Sequence, residues 1–364
     1  MASPVPLRLE RIQLRGFRNL STLDLRFGAH FNVVHGDNGA GKSNLLEAIY
    51  YLGSLSSFRG AKTDDLIGLD AEQAILRARL LGGGAPQILQ AALGRGRARR
   101  LQLDGRRPRS ISQWHAGVQM VLFHPGDVEL SAASAEPRRA FLDRIVEQIE
   151  AGHRAELLAY GKALRSRNRL LKDERVERRA VQVYDALLAR HGEAIGQARA
   201  RIVERIAPRA QRAFAEVAGV ELPLELRYQP RVEPERERLL EALAASYAKD
   251  RARGFTADGP HGDDLGISVR QVSARHHASQ GQHRAIVLSL KVAELEVLTE
   301  RVGRVPILLL DDVSSELDRA RNRRFFELLA RMGGQVFLTT THPEFILLDR
   351  ERVDLQVCAG RVDP

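Results

Sequence analysis

Residues 36–43 read Gly36-Asp37-Asn38-Gly39-Ala40-Gly41-Lys42-Ser43, which fits the pattern G-x-x-x-x-G-K-[ST]. The glycines let the backbone curl until several N–H groups face inward, where phosphate oxygens can accept from them. Lys42 brings a positive charge for the β- and γ-phosphates of a nucleotide, and the Ser43 hydroxyl is placed to ligate Mg²⁺. The flanks agree with this reading. His30 to His35 form a short β-rich run, and Asn44 to Leu52 carry helical spacing, with Leu45, Ala48, Ile49 and Leu52 on one face. Strand, loop and helix in that order predict an α/β fold in which phosphate sits at a helix start, helped by the positive end of the helix dipole.

A second constraint comes late in the chain. Ile307 to Leu310 are apolar on both faces, as in a buried parallel strand, and run into Asp311 and Asp312. Ligands of α/β sheets bind at the C-terminal ends of strands. Asp311 is expected to hold Mg²⁺, and Asp312 to orient the attacking water as a base. About 30 residues earlier, Ala278-Ser279-Gln280-Gly281-Gln282-His283-Arg284 opens an amphipathic helix predicted over 284–298. Ser279 and Gly281 offer a hydroxyl and backbone donors at that helix start, a second anion site. Taken alone, Ser279 reads as an ordinary N-cap.

Between these segments the periodicity changes. Strand-like alternation fills residues 7–35 and 74–104, with Asp104-Gly105 as a hairpin signal. From about residue 134 the spacing is helical: Leu142, Ile145, Val146 and Ile149, then Leu188, Ile195, Ile202 and Ile206. Two or three long helices are expected, with a charged bend near 172–180 and interruptions at Pro208 and Pro230 to Pro234. Mixed structure returns after about residue 255. The expected organisation is one α/β domain built from both ends of the chain, residues 1–130 and 256–364, with a helical arm over 131–255.

Charge adds a partner class. The 364 residues carry 56 Lys+Arg against 46 Asp+Glu, a net charge of +10, which favours a polyanion. Seven arginines lie between Arg95 and Arg109 and six between Arg165 and Arg179; either cluster could line phosphates. Aromatic residues make up only 5% of the chain, so contact with a duplex backbone is expected more than stacking on single-stranded bases. The lone Cys358 leaves no internal disulfide, which suits a reducing cytosol. No apolar run approaches the ~20 residues of a membrane span, and no secretory signal is visible, so a cytoplasmic protein without a membrane partner is expected. His261, Asp263, Asp264, His276 and His277 lack the spacing of a separate metal site.

In this order the segments resemble an ABC-type ATPase head of the SMC and Rad50 class, and most closely the bacterial RecF recombination-mediator family. The resemblance rests on residues 36–50, Ser57-Phe58-Arg59, residues 137–143, residues 167–172, Gly259-Pro260-His261-Gly262-Asp263-Asp264-Leu265, and residues 308–318 with their Leu317-Asp318 D-loop. It covers nearly the whole chain. Ser43 stands where the family usually has Thr, Gly262 where it has Arg, and Gly126 where it has Glu. The resemblance implies an α/β head with a mixed sheet, interrupted by a helical arm. It implies an ATP-dependent head-to-head homodimer in which Ser279, Gly281 and Gln282 of one copy complete the nucleotide site formed by residues 36–44 of the other. Asp318 would couple the two sites. His342 would sense the γ-phosphate beside Lys42, Asp311 and Asp312, with Mg²⁺ on Ser43 and Asp311. Gln119 is a weaker candidate for the Q-loop glutamine.

Asp312 stands where most ABC transporters have Glu. Being one methylene shorter, it predicts slow turnover raised by DNA. The resemblance further implies binding to duplex DNA and to gapped or single-strand junctions, partners of the RecR and RecO kind, and help in loading a recombinase. Two alternatives stay open: an ATPase subunit of another SMC- or Rad50-like DNA complex, or a clamp that binds ATP and hydrolyses little. A transporter's ATPase subunit fits less well, given the arm, the basic charge and Ser279-Gln280-Gly281-Gln282.

Overall fold

A computed structural model of the chain describes residues 4–175, 177–219, 222–312, 319–346, 348 and 351–363. The chain divides into two compact units: Met1–Asp127 with Ala213–Val220 and Leu288–Pro364, and Val128–Arg212 with Glu221–Val287.

The first unit holds a six-stranded sheet in the order Arg361–Asp363, Arg352–Cys358, Phe31–His35, Val336–Thr340, Ile307–Leu310, Met120–Phe123. Every neighbouring pair is parallel except the outermost, which is antiparallel. Ile307–Leu310 and Val336–Thr340 are buried at every position, as expected of parallel strands covered on both faces. A five-stranded antiparallel sheet follows the order Leu20–Arg26, Arg8–Phe17, Gln73–Leu81, Gln87–Gly94, Arg100–Leu103. Its strands alternate buried and exposed residues, so one face meets the core and the other meets water. The helix Lys42–Ser54 packs into this core through Leu45, Leu46, Ala48, Ile49 and Leu52. Trp114, fully buried, donates its indole N–H to the Leu52 carbonyl at 2.7 Å.

The second unit combines the helices Ala135–Ile149, His153–Leu171 and Arg236–Arg253 and most of Arg178–Ala218 with a three-stranded antiparallel sheet, ordered Val272–Ser273, Asp264–Val269, Leu224–Gln229. That sheet moves the expected domain boundary. Asp264–Val269 pairs along its whole length with Leu224–Gln229, so residues 256–287 belong with the arm and not with the chain's C-terminal part.

Two local expectations also change. Pro208 does not interrupt: it lies inside the 41-residue helix Arg178–Ala218. An interior proline costs about 3 kcal/mol, but the buried stripe of Ile195, Ile202, Ile206 and Ala210 continues past it at helical spacing and outweighs that cost. Asp104-Gly105 is a turn with positive φ at both residues, yet it closes only one bridge, Leu103 to Arg106. The hairpin itself turns at residues 95–99, between Gln87–Gly94 and Arg100–Leu103.

The second unit is held by buried ions. Arg167, with no exposed surface, donates to Asp185 at 2.6 Å, to Asp250 at 2.7 Å and to Thr256 at 2.8 Å. It is structural and not a phosphate contact. In the Gly-Pro-His loop, His261 donates from Nε2 to the Thr256 carbonyl (3.0 Å), and its Nδ1 lies 2.6 Å from the Tyr160 hydroxyl, which donates to it when the ring is neutral. Burial pushes the His261 pKa down. In the unfolded chain this histidine takes up a proton near pH 6.5; in the folded chain it resists. Stability from His261 is therefore complete above about pH 6.5 and is lost as pH falls toward the depressed folded value. Thermal melts are expected to drop between pH 7.5 and pH 5.5, and His261→Gln should flatten that drop. An equal drop in the variant contradicts this assignment.

Candidate nucleotide site

The P-loop leaves the strand Phe31–His35 and enters the helix Lys42–Ser54. Gly36 and Gly41 hold φ of 142° and 122°, a region that favours glycine. A Cβ on Gly36 would stand 2.2 Å from the Val357 carbonyl oxygen. No side chain caps the helix N-terminus, so its first-turn N–H groups point toward an anion's place. Lys42 is mostly buried and donates from Nζ to the carbonyls of Gly36 (2.7 Å) and Asp37 (2.8 Å). Burial lowers its pKa, while Asp312, Asp311 and Asp37 oppose that shift, so one cation and three carboxylates share a single field.

The loop is braced from outside. Asn19 donates to the Ala40 carbonyl at 3.1 Å, and so does the Gly360 amide at 2.9 Å. Asn44 donates to Asn19 at 2.8 Å and accepts from Arg59 at 3.0 Å, so the Asn44 side chain is engaged in holding the loop. Behind it, Glu47 is fully buried and accepts from Arg18 Nε at 3.0 Å.

Parallel strands bring the other groups to the same edge. Asp311 and Asp312 follow Ile307–Leu310, and His342 follows Val336–Thr340, the strand between that one and the P-loop strand. Asp311 is 6% exposed and accepts from the Thr339 hydroxyl at 2.8 Å. The same hydroxyl oxygen accepts from the Asp312 amide at 2.9 Å. Thr339 thus fixes both carboxylate residues, at a point where Asp312 adopts φ of 51° and the chain leaves the strand. His342 is exposed; its amide donates to Thr340 Oγ1 at 3.0 Å, and its ring Nδ1 lies 3.0 Å from Glu344.

Gln119 is excluded as a Q-loop residue. It is buried at the N-terminal end of Met120–Phe123, donating to the His115 carbonyl and accepting from the Ile307 amide. All these strands run parallel, so that end is the edge opposite Asp311. The residue at the correct end is His124, whose ring lies 5.5 Å from that of Phe58.

The signature segment lies in the second unit and opens the helix Gln280–Val302, whose residues from Leu288 onward belong to the first. The Ser279 hydroxyl accepts from the Gln282 amide at 3.3 Å, and the Ser279 amide donates to Gln282 Oε1 at 2.8 Å, a reciprocal cap. Ser279 and Gln280 are exposed. Behind them His283 meets Ser131 at 2.9 Å, which anchors the turn. Asp318 and the rest of the D-loop lie outside the described residues. Of the arginines between Arg95 and Arg109, Arg95 donates to the carbonyls of Asp64, Ile67 and Gly68, and Arg99 to that of Leu55, so these two are committed to the fold.

Sequence reasoning did not find Thr339, Asn19 or Arg18. A run of three threonines closing a buried strand opposite Asp311 was the available signal for the first. Arg18-Asn19 falls in the turn between two antiparallel strands and carried none.

Over residues 8–357 the sequence matches the family described as RecF/RecN/SMC N terminal domain. It is 38% identical, over 346 residues, to the DNA replication and repair protein RecF of Myxococcus xanthus, an alignment covering 92% of this chain and 91% of that one. The chain belongs to the RecF family. A solved structure described as the recombination mediator protein RecF-ATP in the RecFOR pathway matches with a TM-score of 0.90 at 31% identity, covering 99% of this chain and 98% of the other. An Smc head bound to the C-winged helix domain of ScpA matches with a TM-score of 0.59 at 15% identity, covering 97% and 95%, which shows a shared fold. The α/β class, the mixed sheet of an ABC-type ATPase head and its helical insertion are thereby shown for this RecF-family chain. No helix among the described residues is long and apolar enough to cross a membrane.

The residues present fit Mg²⁺ with ATP. A hydroxyl at the first helical turn and one buried carboxylate form the oxygen set of a cation that takes its remaining ligands from phosphates and water. Among the described residues no group of three or more His, Cys, Asp or Glu builds an all-protein metal cage.

Proposed function

We propose that this chain is an ATP-driven switch of DNA replication and recombinational repair: it dimerises on duplex DNA near single-strand gaps and helps load a recombinase. The observation that carries the nucleotide reading is the P-loop itself, where the mostly buried Lys42 donates to the Gly36 and Asp37 carbonyls at the start of an uncapped helix; the DNA-repair reading is supported by the RecF-family match. Lys42 and the loop amides hold the phosphates, and Ser43 and Asp311 would hold Mg²⁺, which supplies charge neutralisation on the transferred phosphoryl group. Asp312 orients the attacking water and takes its proton on the carboxylate. Ser279, Gly281 and Gln282 of a second copy close over the nucleotide, Asp318 couples the two sites, and His342 stands at the edge where a γ-phosphate sensor belongs. Loss of the γ-phosphate removes the contacts joining the copies. RecR- and RecO-like proteins are the expected partners, in the cytoplasm.

Hydrolysis by the wild-type chain is expected well below the ~10 s⁻¹ of a median enzyme and to rise on adding duplex DNA. Asp312→Ala should abolish turnover while ATP still binds. A fast rate indifferent to DNA contradicts the switch. Unchanged turnover in Asp312→Ala contradicts the role given to that residue.

A further inference from the structure

The water-facing side of the five-stranded sheet carries an arrangement of arginines that the nucleotide site does not use. The strand registers place them in rows across the sheet. Arg15 and Arg100 share one row, and Arg77 lies in the next, between Gln13 and Gln90. Arg26, Arg11 and Arg79 stand side by side in a third. Like charges directly opposite on neighbouring strands destabilise a sheet, so that row works against the fold. Charged side chains often guard exposed sheet edges. That explanation does not reach Arg15 and Arg77, which sit on interior strands.

Two acids partly offset the face. Asp24 pairs with Arg11, and that hydrogen bond first of all holds the Asp24 pKa down to about 2. Glu10 pairs with Arg79 at 2.9 Å. Arg15, Arg77 and Arg100 are exposed, and no hydrogen bond or ion pair among the described residues engages them. The three form a spread cationic face and not a single file. Arg15 and Arg100 stand in one row three strands apart, about 14 Å at ~4.8 Å per strand, and Arg77 one row away, about 6.8 Å along the strands. Together they present positive charge over a patch wide enough to meet several backbone phosphates. In the Arg77 row Gln90 and Gln102 supply neutral donors for phosphate and sugar oxygens, while Gln13 donates to Asp24 at 2.9 Å.

We infer that this outer sheet face takes the phosphate backbone of duplex DNA, with Arg15, Arg77 and Arg100 as its charged contacts. The inference rests on the DNA-binding reading above and assigns it a surface. It keeps Arg100 of the hairpin cluster, where Arg95 and Arg99 are tied to backbone carbonyls, and takes nothing from the arm, where Arg167 is buried.

The test compares full-length wild type, the triple variant Arg15→Ala/Arg77→Ala/Arg100→Ala, and the arm variant Arg165→Ala/Arg169→Ala. Fluorescence anisotropy with a labelled 30-base-pair duplex is read across a potassium chloride series, with ATP turnover in the absence of DNA and a thermal melt as controls for folding. The triple variant should weaken binding at least tenfold at low salt and reduce the slope of log affinity against log salt by about 3. The arm variant should keep the wild-type slope. A wild type that binds duplex while the triple variant keeps its slope, or an arm variant that loses the slope instead, overturns the assignment and leaves DNA binding standing. A wild type that binds no duplex at any salt overturns the DNA reading and this face with it.

Discussion

Lys42→Ala is expected to lower ATP turnover by at least a hundredfold and to abolish nucleotide-dependent association. Lys42 is only 9% exposed, so its charge acts through little water. Burial alone would favour the neutral amine, but Asp312, Asp311 and Asp37 oppose that shift. A phosphate arriving at the helix N-terminus then meets a preorganised cation and a set of backbone donors. Removing one such preorganised group typically costs 10²–10³ in rate. Arginine should not rescue the loss. Its planar fork cannot replace a compact ammonium seated between the Gly36 and Asp37 carbonyls at 2.7 and 2.8 Å. Single-turnover hydrolysis and equilibrium ATP binding measure the effect. Turnover within tenfold of wild type contradicts the assignment of Lys42.

Ser279→Arg is expected to leave ATP bound and the copies apart. The substitution removes the hydroxyl half of the reciprocal cap at the start of Gln280–Val302, which costs about 1 kcal/mol at most, and keeps the amide half. That is too little to unfold a chain of this size. What it changes is the exposed surface: a long cation replaces a small hydroxyl where the γ-phosphate held by another copy must approach. Loss of dimer with ATP binding retained distinguishes this from Lys42→Ala, which loses both. If Ser279→Arg associates and hydrolyses like wild type, the signature has no part in the site.

Much of this was legible because the decisive segments are local. The P-loop declares its own turn, and Ile307 to Leu310 declare burial on both faces by being apolar throughout. The C-terminal strands Arg352–Cys358 and Arg361–Asp363 were missed, being short and interleaved with charges, as was the helix Arg236–Arg253, which shows no clean apolar stripe. The arm boundary was misplaced because it depends on a pairing between Leu224–Gln229 and Asp264–Val269, which no local pattern announces. Arg167 looked like surface charge. Only the approach of Asp185 and Asp250 from distant parts of the chain makes its burial tolerable. Gln119 was close to the right strand in sequence but at its wrong end, and strand direction is a property of the assembled sheet. Thr339 joins Asp311 to Asp312 across neighbouring strands, a contact visible only once their register is known.

Sharing of one nucleotide between two copies is tested most directly by mixing Lys42→Ala with Ser279→Arg. Each variant alone lacks one half of every shared site. A mixed dimer holds one whole site, built from Lys42 of the Ser279→Arg chain and Ser279 of the Lys42→Ala chain. Duplex-stimulated ATP turnover should therefore reappear on mixing, at a rate above the sum of the two separate samples. A mixture that gives only that sum, at every protein concentration tried, contradicts a site completed by a second copy.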